Sequence, residues 1–109
     1  RDYIHVVDLA EAHVAAMQYL LSHEGTVAIN LGTGKGTSVM ELLKEVEKVT
    51  GKTVPYNIGE VNTEEAVQIY ADPTLAKELL NWTAKYNYHF MIESAWNWYK
   101  TCPEYSNII

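Results

Sequence analysis

The sequence predicts one small mixed α/β domain over residues 1–109, in which short strands accompany about four helices. Short β-branched runs alternate along the chain with segments whose apolar residues recur at helical spacing. Each helical segment also begins at a residue type that caps helices. Finally, a chain of 109 residues with 48% apolar content is long and apolar enough to bury one core.

The first strand–helix unit is predicted at the start of the chain. Residues 3–7, YIHVV, are rich in β-branched side chains and predict a strand. Asp8 and Glu11 form an Asp-x-x-Glu variant of the capping box, which predicts that a helix begins at Asp8. This unit is expected to end at Gly25. The apolar stripe of the predicted helix consists of Leu9, Ala12, Ala16 and Leu20.

The second unit repeats this order. Residues 27–31 predict a strand, and a glycine-rich loop follows it. Ser38 and Glu41 have the Ser-x-x-Glu spacing of the standard capping box, so a second helix is predicted to begin there. Gly51 predicts a left-handed terminator of that helix. Its apolar stripe consists of Val39, Leu42, Leu43, Val46 and either Val49 or Thr50.

The second half of the chain predicts two more strands and two more helices. Residues 53–58 predict a third strand at a sheet edge, because they contain a proline, and residues 67–70 predict a fourth. The Asp-Pro pair at 72–73 predicts the start of a short helix that ends near Leu80. Asn87 is the predicted cap of the last helix, which carries two of the three tryptophans.

Composition excludes several classes of function. The formal net charge of −6 argues against binding nucleic acid or an anionic membrane, because both partners need basic patches. No apolar run approaches the roughly 20 residues that span a bilayer. Cys102 is the single cysteine and cannot form an internal disulfide, so a cytoplasmic location is expected. Because the chain begins at Arg1 and runs directly into a predicted strand, we expect it to be part of a longer protein.

The glycine-rich loop in NLGTGKGTSVMEL, residues 30–42, suggests a phosphate-binding loop but fits neither common template. The Walker pattern requires glycine at position 29 and Ser or Thr after the lysine, but Ile29 and Gly36 occupy those positions. The dinucleotide fingerprint requires a third glycine where Thr37 stands. Two interpretations stay open: an anion site at the helix N-terminus, or glycines that only permit a tight turn.

Other candidate sites are also open to two interpretations. His5, Asp8 and His13 could ligate a metal, but a fourth ligand is absent from their neighbourhood in sequence, and His13 on the apolar face fits a hydrogen-bonded core histidine better. Cys102 has no evident base beside it in sequence, which disfavours a catalytic thiol. The tryptophans form either core and interface anchors or a ligand platform, the first being favoured: Trp82, Trp96 and Trp98.

The chain resembles the C-terminal, substrate-binding part of the UDP-glucose 4-epimerase (UDP-galactose 4-epimerase) family, within the extended short-chain dehydrogenase/reductases. The matching stretches cover essentially the whole sequence, in the family's order and spacing. They are RDYIHVVDLAEAHVAAM, NLGTGKGTSVMELL followed by TGKTVPY, YADPTLAKELLNWTAKY, and the tryptophan-rich SAWNWYK.

The resemblance implies four substrate-binding positions. Arg1 would contact the diphosphate of a UDP-sugar, and Tyr3 would lie in the same nucleotide-binding stretch; a guanidinium suits a diphosphate because its donors are forked and its charge is fixed. The family's second contact is an R-x-G-D segment. Its arginine falls on Asn62 and its aspartate on Glu65, whose carboxylate would still accept from ribose hydroxyls. The glycine-rich loop would then be scaffold.

The resemblance also implies an isomerase of galactose and carbohydrate metabolism that uses NAD and a Tyr-x-x-x-Lys pair. Neither that pair nor a cofactor fingerprint occurs in this sequence. We therefore expect no catalytic residues, no bound cofactor, no metal and no activity in this chain alone. Its expected partners are a UDP-sugar, bound weakly, the N-terminal Rossmann half of the same enzyme, and a second copy by self-association. The alternatives are another nucleotide-sugar epimerase, dehydratase or reductase, or a non-catalytic binding module.

Overall fold

The structure is a computed structural model that describes residues 1–60, 63, 65–102 and 104. Four helices occur in this part of the chain: α1 Val6–Leu20, α2 Val39–Thr50, α3 Thr74–Leu80 and α4 Tyr88–Thr101. Helix α1 packs against α3, and α2 packs against α4. None of these helices is both long and apolar enough to cross a lipid bilayer.

Helix α1 begins earlier than the sequence predicts. The N-cap is His5, whose ring Nδ1 accepts a hydrogen bond from the main-chain N–H of Val7 at 3.0 Å. The predicted cap at Asp8 is therefore wrong. Asp8 lies inside the helix and is 0% exposed, because its carboxylate is used for a contact with a distant segment. A short-range capping pattern gives no sign of that contact.

The caps of α2 and α4 follow the sequence, whereas α3 begins one residue later than predicted, at Thr74, and its N-cap Pro73 makes no side-chain cap hydrogen bond. Ser38 and Glu41 form the predicted capping box at α2, with Glu41 N–H donating to Ser38 Oγ at 3.1 Å and Ser38 N–H donating to the Glu41 carboxylate at 2.8 Å. Gly51 ends α2 with a positive φ of 68°. At α4, the Asn87 side chain accepts from Phe90 N–H at 3.0 Å. Short-range capping chemistry decides these boundaries.

The prediction of a mixed α/β fold with strands is wrong for the part of the chain that the structure describes, which is helical and contains no strand. Val6 and Val7 of the first predicted strand belong to α1. Among the described residues, the other three predicted strands do not pair into a sheet: 27–31, 53–58 and 67–70. β-Branched side chains favour a strand only where partner strands supply a pleated surface. Residues 30–31 and 69–70 line the same hollow, but among the described residues no two of these segments pair as strands.

The buried core is small. Only Ala12, Ala76 and Trp82 are buried apolar residues among those described, and half-buried neighbours pack around them. The radius of gyration is 17.4 Å, whereas a compact chain of this length has about 13 Å. The chain is thus open and extends 50 × 40 × 20 Å. It leaves much apolar surface uncovered.

Helix α1 joins the two helix pairs through polar contacts. The Asp8 carboxylate accepts from the main-chain N–H groups of Lys85 and Tyr86 at 3.0–3.1 Å, in the segment between α3 and α4. The Lys85 ammonium also lies 2.6 Å from the Glu11 carboxylate, a contact that raises the pKa of Lys85. At the start of α1, His5 Nε2 lies 3.2 Å from Ser94 Oγ of α4. These contacts hold the first residues of the chain in place.

Candidate functional site

Arg1 is anchored by both its main chain and its side chain. The main-chain nitrogen of Arg1 donates to the Thr37 carbonyl at 2.9 Å, and Thr37 N–H donates back to the Arg1 carbonyl at 2.8 Å. Nη1 of the guanidinium donates to the Ala66 carbonyl at 2.9 Å, and Nη2 lies 3.4 Å from the Glu65 carboxylate. The arginine therefore bridges the glycine-rich loop and the segment around Glu65, and its guanidinium remains exposed to solvent.

Two open hollows meet at Arg1. The larger has a volume of about 420 Å³ and the smaller about 270 Å³. Residues 1–2, 30–31 and 69–72 line the larger hollow, and residues 1, 36–38, 41 and 67–68 line the smaller one. Because the guanidinium is a fixed positive charge with forked donors, its position between two hollows suits a bidentate anion such as a phosphate.

The carboxylate of Asp2 lies inside the glycine-rich loop. It accepts from the main-chain N–H of Thr33 at 3.0 Å, from Thr33 Oγ1 at 2.5 Å and from Gly34 N–H at 2.9 Å. Ala71 N–H, from the far segment, donates to it at 3.2 Å. Burial of the carboxylate works to raise the pKa of Asp2, but the hydrogen bonds from Thr33, Gly34 and Ala71 outweigh that effect and lower it.

Two glycines of the loop are required by its conformation. A Cβ on Gly32 would lie 2.6 Å from Asp2 Oδ2 and 2.6 Å from the Ala71 Cβ, closer than atoms can pack. Gly34 has a φ of +75°, which L side chains rarely adopt. The amides of Thr33 and Gly34 point at Asp2 and are unavailable to an external phosphate. The geometry favours the scaffold interpretation of this loop.

Of the four predicted substrate-binding positions, the structure brings two together. Arg1 and Glu65 are in contact. Tyr3 is half-buried and lines neither of the two hollows at Arg1. Asn62 lies outside the described residues, so its predicted role stays a prediction. Sequence reasoning did not single out Asp2, because its partners lie 31 to 69 positions away in the chain.

The candidate metal ligands have other partners. His5 is a helix cap, Asp8 accepts main-chain N–H groups, and the His13 ring lies 2.7 Å from the Leu9 carbonyl. His13 is exposed, so the prediction of a core histidine is wrong; the face of α1 that carries it is not covered by another helix. Within the described residues, no three His, Cys, Asp or Glu side chains are placed to hold a metal.

Of the tryptophans predicted to be core or interface anchors, Trp82 is buried, whereas Trp98 is exposed.

Comparison with known proteins identifies close relatives of the chain, although no model of a protein family matches it. It is 48% identical over 98 residues to the UDP-glucose 4-epimerase of Bacillus subtilis (strain 168), covering 90% of this chain and 29% of that protein. It is 44% identical over 103 residues to the UDP-glucose 4-epimerase of Homo sapiens, covering 94% of this chain and 30% of that protein. The chain thus spans less than a third of the length of these relatives.

Comparison with solved structures finds the same class of relatives. The UDP-glucose 4-epimerase of Bifidobacterium longum, in complex with NAD⁺ and UDP, superposes with a TM-score of 0.86 at 41% identity, over 96% of this chain and 31% of that one. The enzyme from Stenotrophomonas maltophila, with bound NAD and formylated UDP-arabinopyranose, gives a TM-score of 0.84 at 41% identity, over 90% of this chain and 29% of that one. The predicted resemblance to UDP-glucose 4-epimerases is confirmed.

Proposed function

We propose that this chain is the C-terminal, UDP-sugar-binding part of an NAD-dependent UDP-glucose 4-epimerase, an isomerase that interconverts UDP-glucose and UDP-galactose in cytoplasmic galactose metabolism. The observation that carries this proposal is an identity of 44–48% to UDP-glucose 4-epimerases over at least 90% of the chain. The exposed Arg1 guanidinium between two hollows supports the binding role within that enzyme.

Arg1 would bind the diphosphate of the UDP-sugar. Its ion pair with Glu65 is 3.4 Å long, with both side chains substantially exposed, and pairs of this kind contribute little stability. A diphosphate carries more charge than one carboxylate and accepts both arms of the guanidinium, so it would replace Glu65 on Nη2. The resemblance assigns the Glu65 carboxylate to the ribose hydroxyls of the same ligand. Tyr3 would support the same stretch of main chain, and Asn62 would stand beside the diphosphate in place of a second arginine.

The glycine-rich loop does not fit a binding site for the pyrophosphate of NAD. The amides of Thr33 and Gly34, which most resemble a pyrophosphate cradle, are used by Asp2. We therefore assign NAD binding and the proton-transfer pair to the remaining part of the enzyme, as in the relatives whose structures contain NAD. On this assignment the chain alone binds no cofactor and does not catalyse the reaction.

The remaining part of the enzyme would cover the outer face of α1, the apolar surface formed by Val6, Val7, Ala10, Val14 and Ala15. These residues line an open hollow of about 470 Å³. Monomeric proteins seldom leave such continuous apolar surface exposed. The relatives are more than three times as long as the matched region, so they contain enough additional chain to cover it. A second copy of the chain is the alternative occupant when the chain is produced alone.

A different nucleotide sugar is the second candidate substrate. The Stenotrophomonas maltophila enzyme was solved with formylated UDP-arabinopyranose, so a close relative accommodates a sugar other than glucose or galactose. In this chain Asn62 and Glu64 replace the arginine and glycine of the family's second contact. The same replacements favour, to a lesser extent, a binding module that has lost catalysis.

A chimera tests the proposal directly. This chain would replace the matching region of the Bacillus subtilis epimerase, and interconversion of UDP-galactose and UDP-glucose would be measured with NAD present. We expect activity in the chimera, strong impairment by Arg1→Ala, and no activity in the chain alone. A folded, NAD-loaded chimera that binds UDP-glucose but does not convert it would favour a different sugar or a non-catalytic module. Turnover by the purified chain alone would contradict the division of roles.

A further inference from the structure

We propose that Asp2 is a positioning residue for nucleotide binding, which holds the Arg1 guanidinium in place for a diphosphate without contacting the nucleotide itself. The inference rests on the proposed function of Arg1. Asp2 is negatively charged, like a diphosphate, and it directly follows Arg1, the residue that would bind the diphosphate.

The hydrogen-bonding capacity of the Asp2 carboxylate is already filled. A carboxylate offers about four lone-pair sites, and Asp2 accepts from Thr33 N–H with both oxygens, from Thr33 Oγ1, from Gly34 N–H and from Ala71 N–H. It therefore has no acceptor left for a ribose or a base, although it lines the larger hollow. Its role must be exerted through the segments it holds.

Those segments are the two that position Arg1. Gly34 lies three residues before Thr37, which exchanges two main-chain hydrogen bonds with Arg1. Ala71 lies five residues after Ala66, whose carbonyl accepts from Nη1 of Arg1. By binding the loop on one side and Ala71 on the other, Asp2 fixes the separation of the segments that hold the two ends of the arginine. This separation also sets the width of the hollow that the diphosphate would enter.

Whether Asp2→Asn weakens or strengthens UDP binding distinguishes a positioning role of Asp2 from a purely electrostatic one. A negative charge near a phosphate opposes its binding, so removing that charge should strengthen binding if Asp2 acted only through its field. Asp2→Asn keeps the shape of the side chain but replaces one oxygen with an N–H₂ group that faces N–H donors. If Asp2 positions Arg1, the substitution weakens UDP binding despite the loss of negative charge.

The test is a titration of the full 109-residue chain with UDP and with uridine, followed by amide NMR shifts at a temperature where each variant is folded. We expect Asp2→Asn to weaken UDP binding by about threefold to tenfold, the size of one ordinary hydrogen bond, and to leave uridine binding unchanged. Asp72→Asn is the matched control. Asp72 lines the same hollow, but among the described residues its carboxylate accepts only from Thr74, which an asparagine also caps. It should leave UDP binding unchanged or slightly tighter.

Two further variants complete the test. In the background of Arg1→Ala, Asp2→Asn should have no further effect on UDP binding, because a positioning residue acts only through the group it positions. Thr33→Val removes one hydrogen bond to Asp2 and keeps its charge, so it should weaken UDP binding in the same direction even if Asp2→Asn does not fold. Unchanged or tighter UDP binding in Asp2→Asn, equal weakening for UDP and uridine, or additivity with Arg1→Ala would overturn the inference. If the wild-type chain binds UDP no better than uridine, the proposed function of Arg1 fails instead.

Discussion

The indole Nε1 of Trp82 donates a hydrogen bond to the main-chain carbonyl of Asp8, 3.1 Å away. The carboxylate of the same aspartate accepts from the amides of Lys85 and Tyr86. Asp8 is thus bonded to the segment after α3 through both its main chain and its side chain, in the interior of a small core. Removing a buried carboxylate with these partners lowers stability strongly, because the amides that bind it would lose their acceptor.

Replacing Asp8 should therefore destabilise the chain strongly. We expect Asp8→Ala to lower the free energy of unfolding by about 3 kcal/mol, the cost of leaving buried donors unpaired. Urea unfolding followed by tryptophan fluorescence measures this. Glu11→Ala is the matched control, because Glu11 is also an α1 carboxylate in contact with Lys85, but through exposed side chains; it should change stability little. Equal effects of the two substitutions would contradict the structural role of Asp8.

The close approach of Asp2 and Ala71 to Gly32 leads to a second prediction. Gly32→Ala should lower the free energy of unfolding by roughly 1–3 kcal/mol, because the new methyl group would meet the Asp2 carboxylate and Ala71. Gly59→Ala serves as the control, since a Cβ there meets no atom within 4 Å. It should be neutral or slightly stabilising, because alanine restricts the unfolded chain. Thermal unfolding of the two variants decides the matter, and a harmless Gly32→Ala would refute the observed loop packing.

These two sites show how far sequence reasoning reaches. Capping at Ser38 and Asn87 depends on residues three positions away, and the sequence predicts it correctly. The hydrogen bonds of Asp2 and Asp8 join residues up to 78 positions apart, so no local pattern reveals them. The predicted strands fail for the same reason, because a strand depends on a distant partner. Arg1 was identified through resemblance, not through spacing or composition.

Asp2 should contribute a pH-dependent part of the stability. Its hydrogen bonds lower the pKa in the folded state below the ordinary value of 3.8. The contribution is therefore fully present above about pH 4 and is lost as the pH falls through the lowered folded pKa. We expect the difference in unfolding free energy between wild type and Asp2→Asn to be constant near neutrality and to shrink below pH 4. A difference that grows with acidity would have the wrong sign for this assignment.

The phosphate contacts make a further prediction in the chimera described above. Asn62→Arg should tighten UDP binding by about 1–2 kcal/mol, roughly tenfold, by restoring a second guanidinium. Arg1→Ala should weaken binding by at least as much, and both effects should shrink as salt is added. Calorimetry measures each. If only Arg1→Ala matters, the alignment of Asn62 with the family's arginine is wrong; if neither substitution matters, the chain does not bind UDP-sugars through this site.

The outer face of α1 can be tested with a matched pair of valines. Val14 is 52% exposed on that face, and Val39 is 67% exposed at the start of α2. We expect Val14→Glu to abolish co-elution of this chain with the separately produced N-terminal part of the Bacillus subtilis enzyme, because the charge would be buried at the contact. Val39→Glu should leave co-elution intact. The reverse pattern would move the contact to the other helix pair.

Because the Asp2 carboxylate lies inside the glycine-rich loop, the chain itself supplies the anion that the loop amides bind. A phosphate loop stays empty until a nucleotide diffuses in, and its order then depends on the nucleotide concentration. A carboxylate attached to the chain is present at an effective concentration that no dilution changes. The wall of the hollow beside Arg1 is therefore already shaped before any ligand arrives, and binding a UDP-sugar need not supply the free energy of ordering it.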